Sequence, residues 1–471
     1  MTEFILNNTP VKTSLKPSST LLDFIRYHQH MMGTKIGCRE GDCGACTILI
    51  GEIREGKLVY SSATSCLMPL GNASGKHIVT IEGLNLTTGL NGVQQAFANE
   101  GATQCGFCTP GFIVSLCGYC LSNEEVSYQS AIDAMNGNIC RCTGYKSIER
   151  AAAFITSLLR ERNPVNAIEF AIEKNLVPGS FSTILQKLKE LSSNGIGNFR
   201  GKFVAGGTDL YVQQHDTITH EDIELMSGKS ELKGITVSDS VCEIGAAVTV
   251  TDIATSAVFK KHFPDLSRYI KLVSSTQIRN MATIAGNIIN ASPIGDFSIF
   301  LLALDAQLIL SNGKTKRNIP LRKLYKGYKV LDKTPDEYIE KILFRLPDQD
   351  CLFNFEKVSK RTHLDIASVN SAVFLKMKND TIIEAGISAG GVAAIPAYLV
   401  DSSKFLTGKK VNKSLVEDLL FIIQKEISPI SDARGTSEYK RLLLQQLVKA
   451  HFITLFPLLA TELIQLHHAE Y

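Results

Sequence analysis

The sequence has almost no excess of charge: 49 Lys and Arg stand against 46 Asp and Glu, a formal net charge of +3. The basic residues are dispersed, so there is no stripe of the kind that follows a nucleic-acid backbone, and small, near-neutral partners are expected rather than nucleic acid. Long apolar runs are missing too. The most apolar stretch, FSIFLLALDAQLIL (297–310), is cut by Asp305, short of the ~18 residues a membrane span needs. The N-terminal MTEFILNNTPVKTSLKPSST lacks the apolar core of a secretory leader, so the chain reads as soluble, cytoplasmic and without a membrane partner. Phosphate-loop signatures are absent as well. GNASGKH (71–77) is one residue short between its glycines and follows Lys76 with His77, so it reads as a surface turn, and AGISAGGVAA (385–394) lacks G-x-G-x-x-G order.

Cysteine, in contrast, is plentiful, at twelve in 471 residues, a length that implies several domains. In a reducing compartment the spacings point to metal rather than disulfides. KIGCREGDCGACTIL (35–49) places Cys38, Cys43 and Cys46 in C-x4-C-x2-C order, and Cys66 follows after nineteen residues, the plant-type arrangement for a [2Fe–2S] cluster. Gly37, Gly41 and Gly44 allow such a loop to turn its amides toward sulfur. Strand-like FILNNTPV and TILIGEIREGKLVYSSA and helix-like SSTLLDFIRYHQ surround it, as in a β-grasp ferredoxin. A four-thiolate zinc site is the alternative, although zinc ribbons pair two short knuckles and this group has one.

A second group differs in spacing: Cys105 and Cys108 in TQCGFCTPGF, then Cys140 and Cys142 in NGNICRCTGY. Thr109 and Pro110 read as N-cap and first residue of a helix, and a further helix is expected over 147–159 with Ile148, Ala152, Ile155 and Leu159 on one face. Cys117 and Cys120 also form C-x2-C, but they fall on the apolar stripe of the first of these helices and read as core. Isolated Cys242 and Cys351 are read in the same way.

EGDCGACT, QCGFCTPG and CRCTGY resemble the iron–sulfur half of the xanthine dehydrogenase and aldehyde oxidase family of molybdenum hydroxylases. The resemblance implies two [2Fe–2S] clusters, one on Cys38, Cys43, Cys46 and Cys66, the other on Cys105, Cys108, Cys140 and Cys142. Lys146 and Ser147 stand where the family usually has Arg-Pro, which touches no ligand. Beyond residue 160, ERNPVNAIEFAIEKNLVPGS reads as a mobile connector, and FSTILQKLKELSS (181–193) as a helix. GKFVAGGTDLYV and QIRNMATIAGNIINASPIGD then resemble the family's pair of FAD loops. By that resemblance Lys202, Phe203, Val204, Ala205, Gly206, Gly207, Thr208, Asp209 and Leu210 hold the pyrophosphate through backbone amides. Thr283, Ile284, Ala285, Gly286, Asn287 and Asp296 complete the pocket, with Ala285 where a glycine is common. A plain turn at Gly206 and Gly207 stays open. FEKVSKRTHLDIASV resembles the segment that sends a lysine toward the flavin, here Lys357, with a solvated surface lysine as the alternative.

The expected fold is α+β and multidomain: a β-grasp [2Fe–2S] ferredoxin (1–85), a helical [2Fe–2S] domain (86–160), a linker (161–179), a two-lobed α+β FAD-binding domain (180–348) and a C-terminal α+β flavoprotein domain (349–471). With no room for a molybdopterin domain before Tyr471, the chain resembles the small subunit of a split enzyme whose large molybdenum-cofactor subunit is separate, in a heterodimer or a dimer of heterodimers. The resemblance implies electron transfer from that partner through the clusters to FAD and on to NAD+ as hypoxanthine or xanthine is oxidised, with no catalytic side chain on this chain. The alternatives are the same subunit for an aldehyde or another N-heterocycle, or a free-standing flavo-iron–sulfur reductase.

Overall fold

The computed structural model describes residues 1–191, 201–361 and 365–464. Ser192 and Ser193 of the expected helix, 362–364 of the segment after Lys357 and the C-terminal 465–471 lie outside the described residues. The chain divides into two compact units, 1–229 with 275–282, and 230–274 with 283–471.

In the first unit, β1 (Thr2–Leu6) and β2 (Thr9–Thr13) form a hairpin, as do β3 (Thr47–Arg54) and β4 (Lys57–Thr64). β5 (His77–Val79) enters between them, parallel to β1 and antiparallel to β3, giving the order β2-β1-β5-β3-β4. Side chains of period two reach both faces. Ile48 and Ile50 join Phe4, Leu6 and Ile78 in one core, while Leu49, between them, joins Tyr60 and Val79 in another. That second core continues into the helices α1 (Gly92–Asn99), α2 (Thr109–Leu121), α3 (Tyr128–Ala134) and α4 (Lys146–Leu159). Every residue from Gly111 to Leu121 is buried, which is why α2 is apolar all round and why Cys117 and Cys120 are core residues. Ile148, Ala152, Ile155 and Leu159 of α4 are buried as their spacing predicts.

The expected mobile connector is instead ordered. Arg162 donates to the carbonyls of Tyr119 (3.0 Å), Cys120 (3.1 Å) and Glu124 (2.6 Å), satisfying the C-terminal end of α2. Ala167, Ala171, Leu176 and Val177 are buried behind it. Two prolines suggested a loose tether, but the apolar spacing of AIEFAIE makes a helix, Ala167–Glu173, that needs a core to pack on. GNASGKH is likewise no simple surface turn, because Leu70–Ala73 is a helical turn with Gly71 and Ala73 buried.

In the second unit, β8 (Ile235–Ser238), β9 (Val241–Gly245), β10 (Gln307–Ser311), β11 (Lys316–Pro320) and β12 (Tyr338–Arg345) make an antiparallel sheet in the order β11-β10-β12-β9-β8. Short helices α5 (Ile284–Ile289) and α6 (Asp296–Ala303) precede β10. Cys242 is fully buried on β9, as expected. A second sheet of β13 (Cys351–Val358), β14 (Val369–Lys378), β15 (Thr381–Gly390) and β16 (Ala397–Tyr398) shares its core with α7 (Val400–Leu406), α8 (Lys413–Glu426) and α9 (Ser437–Leu455). Cys351 departs from the expected core role. It is half-buried at the start of an edge strand, its thiol 3.1 Å from Asp348 Oδ1. No single described helix is long and apolar enough to cross a membrane.

Candidate iron–sulfur centres and flavin loops

The first cysteine loop runs from the end of the helical stretch Leu21–His28 into β3. Cys46 and Cys66 are 2% and 1% exposed and belong to the β-grasp core, whereas Cys38 and Cys43 are half-buried. The thiols associate in pairs. Cys43 supports the Cys38 thiolate by hydrogen bonding and holds it down at about 5, while the Cys43 thiol itself is pushed up, first by Cys38 and then by burial. Cys66 does the same for Cys46. Two pairs, with charge from Cys38 felt at both Cys46 and Cys66, bring four thiols together that would hold a [2Fe–2S] cluster. Backbone amides face the sulfurs: Cys38 N lies 3.4 Å from Cys43 Sγ, and Glu40 N 3.3 Å from Cys38 Sγ. Gly44 (φ +66°) is where a side chain is forbidden twice over, since a Cβ there would stand 2.4 Å from Gly137 O.

The second loop lies at the other extreme of exposure. Cys105 and Cys142 are exposed, with their sulfurs 3.6 Å apart, Cys108 is half-buried and Cys140 is 6% exposed. Burial, then Cys140, pushes the Cys108 thiol up to about 12. Cys140 is lowered despite burial, because Thr143 supports its thiolate through both hydroxyl (3.1 Å) and amide (3.4 Å). The pairs Cys105 with Cys142 and Cys108 with Cys140 repeat the two-and-two arrangement. Helix α2 starts one residue earlier than expected, with Cys108 rather than Thr109 as N-cap and Pro110 inside the first turn. The expected proximity of Cys105 and Cys108 to that positive helix end holds. Among the described residues, no three His, Cys, Asp or Glu side chains are grouped as for a single ion.

Each flavin loop belongs to a different compact unit. In the first unit, Lys202, Phe203 and Val204 form β6 (Lys202–Val204), parallel to β7 (Ile223–Leu225). Ala205, Gly206, Gly207, Thr208 and Asp209 turn the chain into a short helix starting at Leu210. Gly207 has φ +84°. A Cβ on Gly206 would come within 2.0 Å of Met281 O, and one on Gly207 within 2.4 Å of Leu67 O, so the unit's own packing requires both glycines. The Lys202 side chain is engaged by Gln214 and, at 3.7 Å, by Glu221.

In the second unit, Thr283 caps α5 by accepting from Gly286 N at 3.1 Å, and Ile284 N is bound by Val248 O at 3.0 Å. Ala285 is buried, so its methyl does not narrow an exposed approach. Asn287 accepts from Ser298 N at 3.1 Å. Asp296, at the start of α6, pairs with Lys357 Nζ at 2.8 Å and accepts from Asn370 Nδ2 at 2.7 Å. The surface alternative for Lys357 is overturned, because its side chain is 2% exposed and its second contact is Leu272 O at 2.7 Å. The charge stays buried only because the Asp296 carboxylate offsets it.

Comparison with known families places four domains in series. Residues 4–70 match the 2Fe-2S iron-sulfur cluster binding domain, and 80–153 the [2Fe-2S] binding domain. Residues 174–348 match the FAD binding domain in molybdopterin dehydrogenase, and 355–455 the CO dehydrogenase flavoprotein C-terminal domain. The four matches in this order form an iron–sulfur and FAD-binding series similar to that of molybdenum hydroxylases. It is 29% identical to a xanthine dehydrogenase of Emericella nidulans over 86% of this chain and 35% of that protein. It is 26% identical to aldehyde oxidase 2 of Macaca fascicularis over 93% of this chain and 38% of that protein. The chain thus spans little more than a third of the length of these relatives. A solved structure of CO dehydrogenase from Oligotropha carboxidovorans aligns with a TM-score of 0.50 at 25% identity, covering 53% of this chain and 88% of that one. The matched segments give the chain two [2Fe–2S] domains and an FAD domain within an α+β multidomain fold.

Some residues of these sites have no signature in the sequence. Arg39, itself left-handed at φ +58°, holds the first loop to Asp23 by two hydrogen bonds of 2.7 and 3.2 Å. Tyr145, at φ +68°, accepts from Cys140 N at 3.0 Å and steadies the second loop. Tyr145 closes the quoted CRCTGY motif, whereas Asn370 and Asp23 have no local sign.

Proposed function

We propose that this chain is the electron-transfer subunit of a cytoplasmic xanthine dehydrogenase. In this reading Cys38, Cys43, Cys46 and Cys66 ligate one cluster and Cys105, Cys108, Cys140 and Cys142 the other. Lys202–Leu210, Thr283–Asn287 and Asp296 lodge FAD, with Lys357 acting on Asp296 rather than directly on the flavin. The observation that carries it is the exposure of the second cysteine loop. Cys105 and Cys142 open to the surface beside exposed Phe107 and Ile139, an apolar rim suited to a permanent partner bearing the molybdenum cofactor. Clusters carry single electrons and FAD can gather two, which is what NAD+ requires. The chain's own residues supply thiolates, amides aimed at sulfur and water exclusion around Cys46 and Cys66.

Similarity to a xanthine dehydrogenase supports hypoxanthine and xanthine as the substrates of the large subunit. Similarity to an aldehyde oxidase favours a second reading, an aldehyde or N-heterocycle, because substrate choice rests with the partner. The test is to purify the chain alone and with a separate molybdenum-cofactor subunit. Alone it should be inert toward xanthine yet exchange electrons with NADH. The complex, as a heterodimer or its dimer, should form NADH from xanthine. Xanthine oxidation by the isolated chain would overturn the subunit reading, and turnover with O2 but not NAD+ would overturn the acceptor.

A further inference from the structure

Residues 275–282 lie in the sequence of the FAD-binding domain, immediately before Thr283, yet they fold within the first compact unit. Their contacts join both cluster modules. Thr276 N donates to Asn136 Oδ1 (2.9 Å) and its hydroxyl to Asp133 O (2.7 Å), at the end of α3. Asn280 Nδ2 donates to Ser62 O on β4 at 2.8 Å. Between them sits Gln277, fully buried. Its Nε2 faces Ser115 Oγ on α2 (2.9 Å), Asn138 Oδ1 (3.1 Å) and Ala134 O (3.2 Å).

Asn138 is the hinge of this network, since it stands two residues before Cys140 and reaches the first cysteine loop. Its Nδ2 donates to Gly44 O (3.0 Å) and Thr47 Oγ1 (3.3 Å), and its Oδ1 accepts from Ser115 Oγ (2.7 Å). The next amide, Ile139 N, donates to Cys43 O at 3.0 Å. The two cysteine loops are therefore joined through one asparagine and one backbone amide, and Gln277 holds that asparagine from behind. Gln277 Oε1 is buried with no hydrogen-bond partner among the described residues. An apolar side chain would avoid that desolvation cost, so packing alone does not account for a glutamine here; its donor end does.

We propose that Gln277 is a positioning residue that fixes the separation of the two iron–sulfur clusters, acting through Asn138 on the loop of Cys140 and the loop of Cys43. The inference rests on the two-cluster reading above. The test uses the full chain with both clusters, reduced with dithionite, comparing the parent with Gln277→Met, which keeps length and removes both donors. Two reduced clusters split each other's paramagnetic lines at low temperature by an amount that falls with the cube of their distance. The variant should keep all its iron but show narrower splitting and a shifted midpoint potential for the second cluster, and Gln277→Glu below the carboxyl pKa, with one donor restored, should recover part of the parent splitting. Unchanged splitting and potentials in Gln277→Met overturn the proposal. If Gln277→Met does not hold full iron, Gln277→Leu decides, because it too removes the Nε2 donor that reaches Ser115 Oγ and, directly, Asn138 Oδ1: narrowed splitting supports the role, and a parent-like spectrum overturns it. Absence of two cluster signals in the parent would instead defeat the two-cluster reading itself.

Discussion

The two cysteine loops offer the same four thiols in the same paired arrangement but place them in opposite environments. The first builds Cys46 and Cys66 into the β-grasp core, while the second leaves Cys105 and Cys142 at the surface around the buried Cys140. Ligation alone does not need this difference. A core-anchored loop makes the metal part of the fold, whereas a surface loop makes it reachable by something outside the chain. The largest expected consequence concerns stability. Cys46→Ser should remove about half the iron and destabilise the β-grasp by on the order of 3 kcal/mol, through loss of a buried metal anchor. Cys142→Ser should remove the other half with a much smaller change in melting. Iron content, paramagnetic spectra and calorimetry on both variants check this, and equal melting losses would erase the distinction.

Access provides the next test. A chelator with a mild oxidant should bleach the second cluster several-fold faster than the first, because Cys142 and Cys105 are open to solvent. Following the two paramagnetic signals separately gives both rates. Loss of the first signal at the same rate would mean that the β-grasp core opens as readily as the surface loop.

The cysteines were legible because their ligand spacing is local: a loop that must wrap a cluster imposes itself within a dozen residues, as EGDCGACT and CRCTGY do. α2 and α4 were legible for the same reason, from a period that each helix carries within itself. What was missed depends on contacts distant in sequence. Gly206 and Gly207 look like a phosphate loop, yet the atoms that forbid a side chain there are Met281 O and Leu67 O. A Gly207→Val variant that lost its flavin would therefore report a packing clash as much as a phosphate contact. The partners of Lys357 and the docking of Ala167–Glu173 were invisible for the same reason, since neither Asp296 nor the helical core lies within local reach.

Acid sharpens the comparison in a different way. His77, on β5, is buried; it is hydrogen-bonded to Tyr60 Oη (2.8 Å) and Asn7 O (2.5 Å), and burial pushes it down to about 4. Its unfolded value is 6.5, so the unfolded chain takes up a proton before the folded one. The stability it contributes is complete above 6.5 and is lost as pH falls toward 4, by about 3 kcal/mol for a shift of this size. The helical cluster module, residues 86–160, contains no histidine and lacks this liability. Melting of the β-grasp between pH 6.5 and 4 should therefore fall more steeply in the parent than in His77→Gln, which keeps a donor and an acceptor but cannot charge. Parallel curves would place the acid sensitivity elsewhere.

The smallest effect on the isolated chain should come from the apolar rim of the second loop. Phe107 is 46% exposed and Ile139 41%, so Phe107→Ser with Ile139→Ser removes little buried area and should change stability by no more than about 0.5 kcal/mol per site. Both clusters should remain, since neither side chain supplies sulfur and the Ile139 amide that reaches Cys43 O is backbone. The same pair of changes should be costly when the proposed molybdenum-bearing partner is added, because exposed aromatics that become the centre of an interface are typically worth ~2 kcal/mol or more each. Titrating the partner against parent and double variant measures this directly. A large affinity loss with unchanged melting and unchanged cluster spectra assigns the exposed loop to the partner. Equal affinity would mean that its exposure serves solvent access alone, and the contrast between the two loops would need another cause.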